Sequence, residues 1–115
     1  MTVKEFYDSI GGDYDAVFSQ LLKDERIAKF AKRFIEDPTY SQLIASLNNK
    51  DYDTAFRMAH TLKGVAANLA FKEFGKASSD LTEILRAKDI ASVEQALAKV
   101  TTEYKKLISA IQNID

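Results

Sequence analysis

The chain has 115 residues, of which 46% are hydrophobic, enough for one core, so we expect a single domain. Its 16 basic and 17 acidic residues give a formal net charge of -1, which argues against a nucleic-acid binder, since such proteins usually carry a basic excess or stripe. The absence of cysteine excludes disulfides and thiolate metal sites, and a single histidine argues against a zinc site.

Apolar residues recur at helical spacing along nearly the whole chain, and no segment alternates with a period of two. In chain order the pattern predicts two short helices and four longer ones, over residues 2–9, 13–22, 24–47, 51–69, 71–87 and 89–113. Asp13, Asp24 and Asp51 are the expected N-caps. At Pro38 the third helix is expected to kink or restart, with Asp37 as the N-cap and Pro38 as the first helical residue. The one-sided stripes and short connections predict an all-α fold, an antiparallel four-helix bundle with additional short N-terminal helices, over residues 1–115.

The helix predicted over 51–69 carries the only histidine of the chain. At about 100° per residue, its core side comprises five residues whose directions fall within about 80° of one another. These residues are Ala55, Ala59, Leu62, Ala66 and Leu69. His60 points about 140° away from their mean direction, so we expect its imidazole to face water.

The residues that share this side of the helix are unusual for a solvated surface. We call them the His60 face: Phe56, His60, Lys63, Gly64 and Ala67. Arg57 lies toward its outer flank, and no acid occurs between Asp53 and Glu73. A surface that is poor in acids by chance remains an alternative explanation of this composition.

Gly64 stands in the helix interior, where glycine costs roughly 1 kcal/mol relative to alanine. Helical side chains lean toward the N-terminus, so a side chain at position 64 would lie over the imidazole of His60. Glycine leaves that approach open, which indicates that a large partner comes close to the ring. A hinge or kink at Gly64 is the alternative interpretation.

An exposed imidazole beside an ammonium group can accept a phosphoryl group. Much of a free imidazole is neutral near pH 7, and the neutral ring is a nucleophile that needs no separate base. Phosphoryl transfer depends mainly on positioning and on electrostatic stabilisation of the equatorial oxygens. Lys63, one turn from His60, leans toward the ring and could supply that stabilisation.

The stretch AHTLKGVAANLAF closely resembles the signature of histidine-containing phosphotransfer (HPt) domains of bacterial two-component phosphorelays. The matching residues are His60, Leu62, Lys63, Gly64, Asn68 and Leu69. Gly11-Gly12-Asp13 and the stretch NNKDYDTAF also resemble the family, so the likeness covers most of the chain. Ala67 and Ala70 stand where many members have glycine, and the stretch between Gly12 and Asp51 is longer than in many members.

The resemblance implies that His60 is phosphorylated, on Nε2, with Lys63 stabilising the phosphoryl group and Gly64 giving access. It implies a phosphoryl carrier without kinase activity of its own, and the chain has no phosphate-binding loop of a nucleotide-dependent enzyme. Expected partners are receiver domains of response regulators and a hybrid histidine kinase, with Mg²⁺ bound by the receiver and no cofactor or metal on this chain. The residues expected to bind the partner are Phe56, Arg57, Ala67, Asn68 and, from the N-terminal helices, Phe18, for which a core position is the alternative.

No apolar stretch approaches the roughly 18–20 residues of a membrane span, and the charged N-terminus lacks the apolar segment of a signal peptide. We therefore expect a cytoplasmic, free-standing monomer. Two other functions stay open: a helical adaptor that binds receivers without being phosphorylated, and a small enzyme with His60 as general base. No second catalytic group stands at a suitable helical spacing for the enzyme.

Overall fold

The computed structural model describes residues 1–115, which form seven α-helices and one short 3-10 turn. In chain order the helices are α1 Val3–Ser9, α2 Tyr14–Leu21, α3 Asp24–Phe34, α4 Thr39–Asn48, α5 Tyr52–Leu69, α6 Lys72–Arg86 and α7 Val93–Gln112. The 3-10 turn, Ile90–Ser92, directly precedes α7. The fold is all-α, and none of these helices has both the length and the apolar character needed to cross a membrane.

Helices α4 to α7 form an antiparallel four-helix bundle, as the apolar stripes predict. Each packs against the next in the chain, and α3 contacts both α5 and α7. Tyr40 of α4 closes the bundle by stacking on Tyr104 of α7, with ring centroids 3.8 Å apart, and its hydroxyl donates to Thr101 Oγ1 at 3.0 Å. Fully buried side chains from all four helices fill the space between them: Leu43, Leu62, Leu81, Leu107 and Ile111.

The N-terminal helices cover the end of the bundle at which α5 terminates. Phe6 and Tyr7 of α1 are buried there and pack edge-on against each other. The Tyr7 hydroxyl donates to the Leu69 carbonyl at 2.7 Å, and the amide of Asp13 donates to the Ala70 carbonyl at 3.0 Å. These two bonds fix the last turn of α5 against the first thirteen residues, and burial raises the pKa of Tyr7.

The helix predicted over 24–47 is two separate helices, so of the two alternatives at Pro38 the chain restarts and does not kink. Proline has no N–H to donate and its ring clashes with the preceding turn, so Pro38 ends the helical run instead of bending it. Asp37 then starts α4, because its Oδ1 accepts hydrogen bonds from the amide of Thr39 at 2.8 Å and from the Thr39 hydroxyl at 2.6 Å. Pro38 occupies the N-cap, and Thr39 is the first helical residue.

Two further helix starts differ from the expectation. Asp24 is the first residue of α3 and not its N-cap, which is Lys23, because the Asp24 carboxylate accepts the Tyr14 hydroxyl of α2 at 2.7 Å. The last helix, predicted to begin at Asp89, begins with the 3-10 turn, and the Asp89 side chain makes no capping hydrogen bond there.

Candidate functional site

Helix α5 is fixed at both ends, which sets the direction of every side chain along it. Asp51 caps its start, accepting the amide of Thr54 at 3.1 Å and the Thr54 hydroxyl at 2.6 Å. These bonds hold the pKa of Asp51 below its ordinary value. At the other end Ala70 turns left-handed, and the Phe71 amide closes the helix on the Ala66 carbonyl.

The five residues predicted for the core side of α5 are all buried: Ala55, Ala59, Leu62, Ala66 and Leu69. His60 is exposed, as the helical wheel predicts, and its side chain makes no hydrogen bond within the chain. Its ring lies almost parallel to that of Phe56, one turn earlier, with centroids 6.1 Å apart and an interplanar angle of 15°. The imidazole therefore presents free ring nitrogens on the bundle surface.

Open space surrounds the position of the missing side chain at Gly64. A Cβ built there meets no heavy atom within 4 Å, other than atoms of its own helical turn and chain neighbours. The backbone has no left-handed conformation at this residue. Neither packing nor backbone conformation therefore requires glycine at position 64. A longer side chain here would lean toward His60, into space that glycine leaves open.

The two cations within one turn of His60 on α5 form no salt bridge. The half-buried Lys63 and the exposed Arg57 form no ion pair, and Arg57 donates only to the Thr54 hydroxyl at 3.1 Å. The salt bridges of the chain join Met1 to Asp115 and Glu83 to Arg86. Lys63 thus has no carboxylate partner, whereas Arg57 lies near enough to the Asp51 carboxylate to help lower its pKa.

Three of the four partner-binding residues predicted on α5 border hollows in the surface. Phe56 and Arg57 border a groove of about 570 Å³ between the start of α5 and the end of α6. Asn68 lines a hollow of about 370 Å³ bounded by α2, α3 and α5, together with Val65 and Leu21. Ala67 is exposed on the ridge and belongs to neither hollow.

Phe18 of α2 is partly exposed, at 38%, and is not a core residue. Its ring packs on Tyr14 with centroids 5.6 Å apart. Leu22, which follows α2, is more exposed, at 63%, and adopts a left-handed conformation. Together they place apolar surface on α2, the helix that bounds the hollow near Asn68.

Sequence reasoning missed Arg86, the last residue of α6. Its guanidinium carbon lies 4.9 Å from the centroid of the Phe56 ring, within the range of a cation–π contact. No local pattern could reveal this contact, because it joins two helices and depends on how α5 and α6 pack. The helical spacing of apolar residues in α6 predicts that Arg86 lies on the surface, but it does not predict the contact with Phe56.

His60 stands apart from other groups that could bind a metal or form a catalytic pair. No group of three histidine, aspartate or glutamate side chains lies together as a set of metal ligands. The exposed imidazole has no carboxylate or hydroxyl bonded to it that would form a catalytic dyad. His60 is therefore an exposed imidazole without a polar side-chain partner.

Comparison with known proteins gives one family. A family model described as the Hpt domain matches residues 37–114, more than half of the chain. The matched part begins just before α4 and includes the whole of α5, α6 and α7. No curated protein and no solved structure matches the chain significantly.

Proposed function

Because this chain belongs to the Hpt domain family and so has a role in histidine phosphotransfer, we propose that His60 is its phosphorylated residue. In this proposal His60 accepts the phosphoryl group from the aspartyl phosphate of one receiver domain and passes it to another. Hpt domains are phosphocarriers that interact with receiver domains and kinases. The observation that carries the assignment is the exposed imidazole of the only histidine, beside a position where a Cβ meets nothing.

The reaction requires little of this chain beyond a free ring nitrogen in the right place. The Nε2 lone pair attacks phosphorus in line, the N–P bond forms, and the P–O bond to the receiver's aspartate breaks, leaving a carboxylate. The ring carries a positive charge until its other nitrogen releases a proton. Return of the phosphoryl group to a second receiver reverses these steps.

Electrostatics supports the same residues. Charge spreads over the equatorial oxygens during transfer, and preorganised cations stabilise it best where water is excluded. Lys63 is one turn from His60 and free of any ion pair, which supports this role for it once a receiver covers the face. Mg²⁺ would be supplied by the receiver, and nothing on this chain needs to bind it.

The test is transfer from phosphorylated receivers of the source organism to the purified chain and to His60→Gln. We expect an acid-labile phosphoryl group on the wild type and none on His60→Gln, which should keep its helical content. Binding of receivers without any transfer would favour the adaptor, and retention of label by His60→Gln would refute the assignment.

A further inference from the structure

Three side chains of α5 and α6 form a column, of which the proposed reaction uses only His60. The imidazole of His60 lies nearly parallel to the Phe56 ring, and the guanidinium of Arg86 lies over the same ring at 4.9 Å. Arg86 is held in turn by Glu83, one turn earlier on α6, with Nε and Oε2 3.2 Å apart. The column therefore joins the nucleophile of α5 to the end of α6.

An exposed histidine without such neighbours would move among several staggered rotamers. Only some of these rotamers point Nε2 outward. The rate of transfer is proportional to the fraction of molecules in such a rotamer. A side chain that leans toward the helix N-terminus meets the residue four positions earlier. At His60 that residue is Phe56, whose flat ring can hold the imidazole in one orientation.

Phe56 needs support of its own, because it is only half-buried at the edge of the bundle. A planar guanidinium over the ring restricts it, and the Glu83 carboxylate fixes the guanidinium. Arg86 also ends α6, where a cation is favoured by the helix dipole. Arg57, by contrast, contacts no aromatic ring and is bound to Thr54.

We propose that Phe56 and Arg86 are positioning residues. Phe56 is the surface against which the His60 imidazole is oriented, and Arg86 holds that surface across the α5–α6 groove before any receiver docks. The proposal rests on His60 being the phosphorylated residue.

The first test reads the imidazole directly, in the unphosphorylated protein. Because the chain has one histidine, its ring protons give unique NMR signals. In the wild type, the Phe56 ring current should displace them from the positions of a free imidazole. Arg86→Met retains both aromatic residues, so it should move these signals toward the free values only if Arg86 orders the column. Lys99→Met, which removes an exposed cation from α7, is the matched control and should leave them unchanged.

The second test measures single-turnover transfer at saturating phosphorylated receiver. Arg86→Met should slow transfer about three- to tenfold, as expected if the competent rotamer loses most of its population, with an unchanged apparent affinity and melting temperature. Arg86→Lys, which keeps the charge without the planar group, should recover only part of the rate.

Unmoved imidazole signals in Arg86→Met, or complete recovery by Arg86→Lys, would overturn the proposal and leave Arg86 with a charge effect alone. These outcomes are separate from the assignment of His60. If His60→Gln still accepted label, the proposed function would fail although the NMR signals still reported the column.

Discussion

At the scale of single residues, two glycines of this chain stand in opposite surroundings. A Cβ at Gly12 would lie 2.6 Å from Cδ1 of Tyr7 and 2.9 Å from the Ala70 carbonyl oxygen, so the close approach of α1 to the end of α5 demands glycine. At Gly64 a Cβ would meet nothing. The fold therefore explains the first glycine and not the second, and this supports the proposal that Gly64 gives access to His60.

Substitutions at Gly64 should separate folding from transfer. Gly64→Ala should stabilise the chain by up to about 1 kcal/mol, because alanine favours the helix and has open space. Gly64→Gln should fold at least as well as the wild type but transfer about ten- to a hundredfold more slowly, since displacement of the reacting atoms by 1 Å can cost about 10²-fold. Alanine should be intermediate in rate.

Thermal melts and single-turnover rates on the same three proteins decide the role of Gly64. Wild-type transfer by Gly64→Gln would show that access is not its purpose. Unfolding of that variant would show that the glycine is structural.

Lys63 should affect rate and not folding. Its ammonium has no carboxylate partner to lose, so Lys63→Ala should leave the melting temperature nearly unchanged. We expect transfer to slow, or phospho-His60 to hydrolyse faster, because a charge that stabilises the equatorial oxygens is removed. Single-turnover transfer and the lifetime of the phosphorylated protein measure the two effects, and unaltered values for both would count against the electrostatic role.

At the scale of helices, α4, α5 and α6 end in the same backbone conformation. Each is followed by a left-handed residue that is not glycine: Lys50, Ala70 and Lys88. The amide of the next residue then bonds back to a carbonyl in the last turn, as Phe71 does to Ala66 at 2.9 Å. A left-handed conformation costs an L-residue roughly 1–2 kcal/mol, so these ends are sustained by the packing around them.

Ala70→Gly should therefore stabilise the chain. Relief of the left-handed strain outweighs the greater freedom of glycine in the unfolded state, for a net gain of up to about 1 kcal/mol and a melting temperature several degrees higher. Ala67→Gly, three residues earlier inside α5, is the control and should cost about 1 kcal/mol. Equal destabilisation by both variants would mean that the Ala70 methyl contributes contacts larger than the strain.

Helical spacing in the sequence predicted which side chains of a helix face the core and which face solvent. It predicted few of the contacts between side chains of different helices. The wheel of α5 placed its five core residues and His60 correctly, because direction along a regular helix follows from spacing alone. The interruption at Pro38 was predicted, but spacing alone left open whether the helix kinks or restarts there, and the structure shows a restart at Thr39. The contact of Arg86 with Phe56 could not be predicted, because it depends on the packing of α6 against α5.

At the scale of the whole molecule, the bundle is elongated, with principal extents of 41 × 21 × 18 Å, and the His60 face lies along its side. Residues 1–36 lie outside the part matched by the Hpt family. Their helices close the end of the bundle beyond α5 and add the exposed apolar side chains Phe18 and Leu22. The hollow lined by Asn68 and Leu21 lies between the His60 face and this added surface, so a partner that covers the face and the hollow would also contact α2.

A receiver should therefore perturb one continuous region of the molecule. In chemical-shift mapping with a phosphorylation-competent receiver, we expect changes at Phe56, Arg57, Gly64, Ala67 and Asn68, extending to Phe18. The acid-poor composition and apolar parts of this surface favour docking there. Perturbations confined to the exposed side of α7, which carries Lys99 and Thr102, would place the partner elsewhere and contradict this surface.

The most direct measurement is the chemical identity of the phosphorylated atom. After incubation with a phosphorylated receiver, correlation of the phosphorus signal with the ring protons of the only histidine should show one phosphoramidate, at Nε2 of His60. Loss of phosphate from the receiver with no such correlation, or a phosphoryl group on any other residue, would contradict the account.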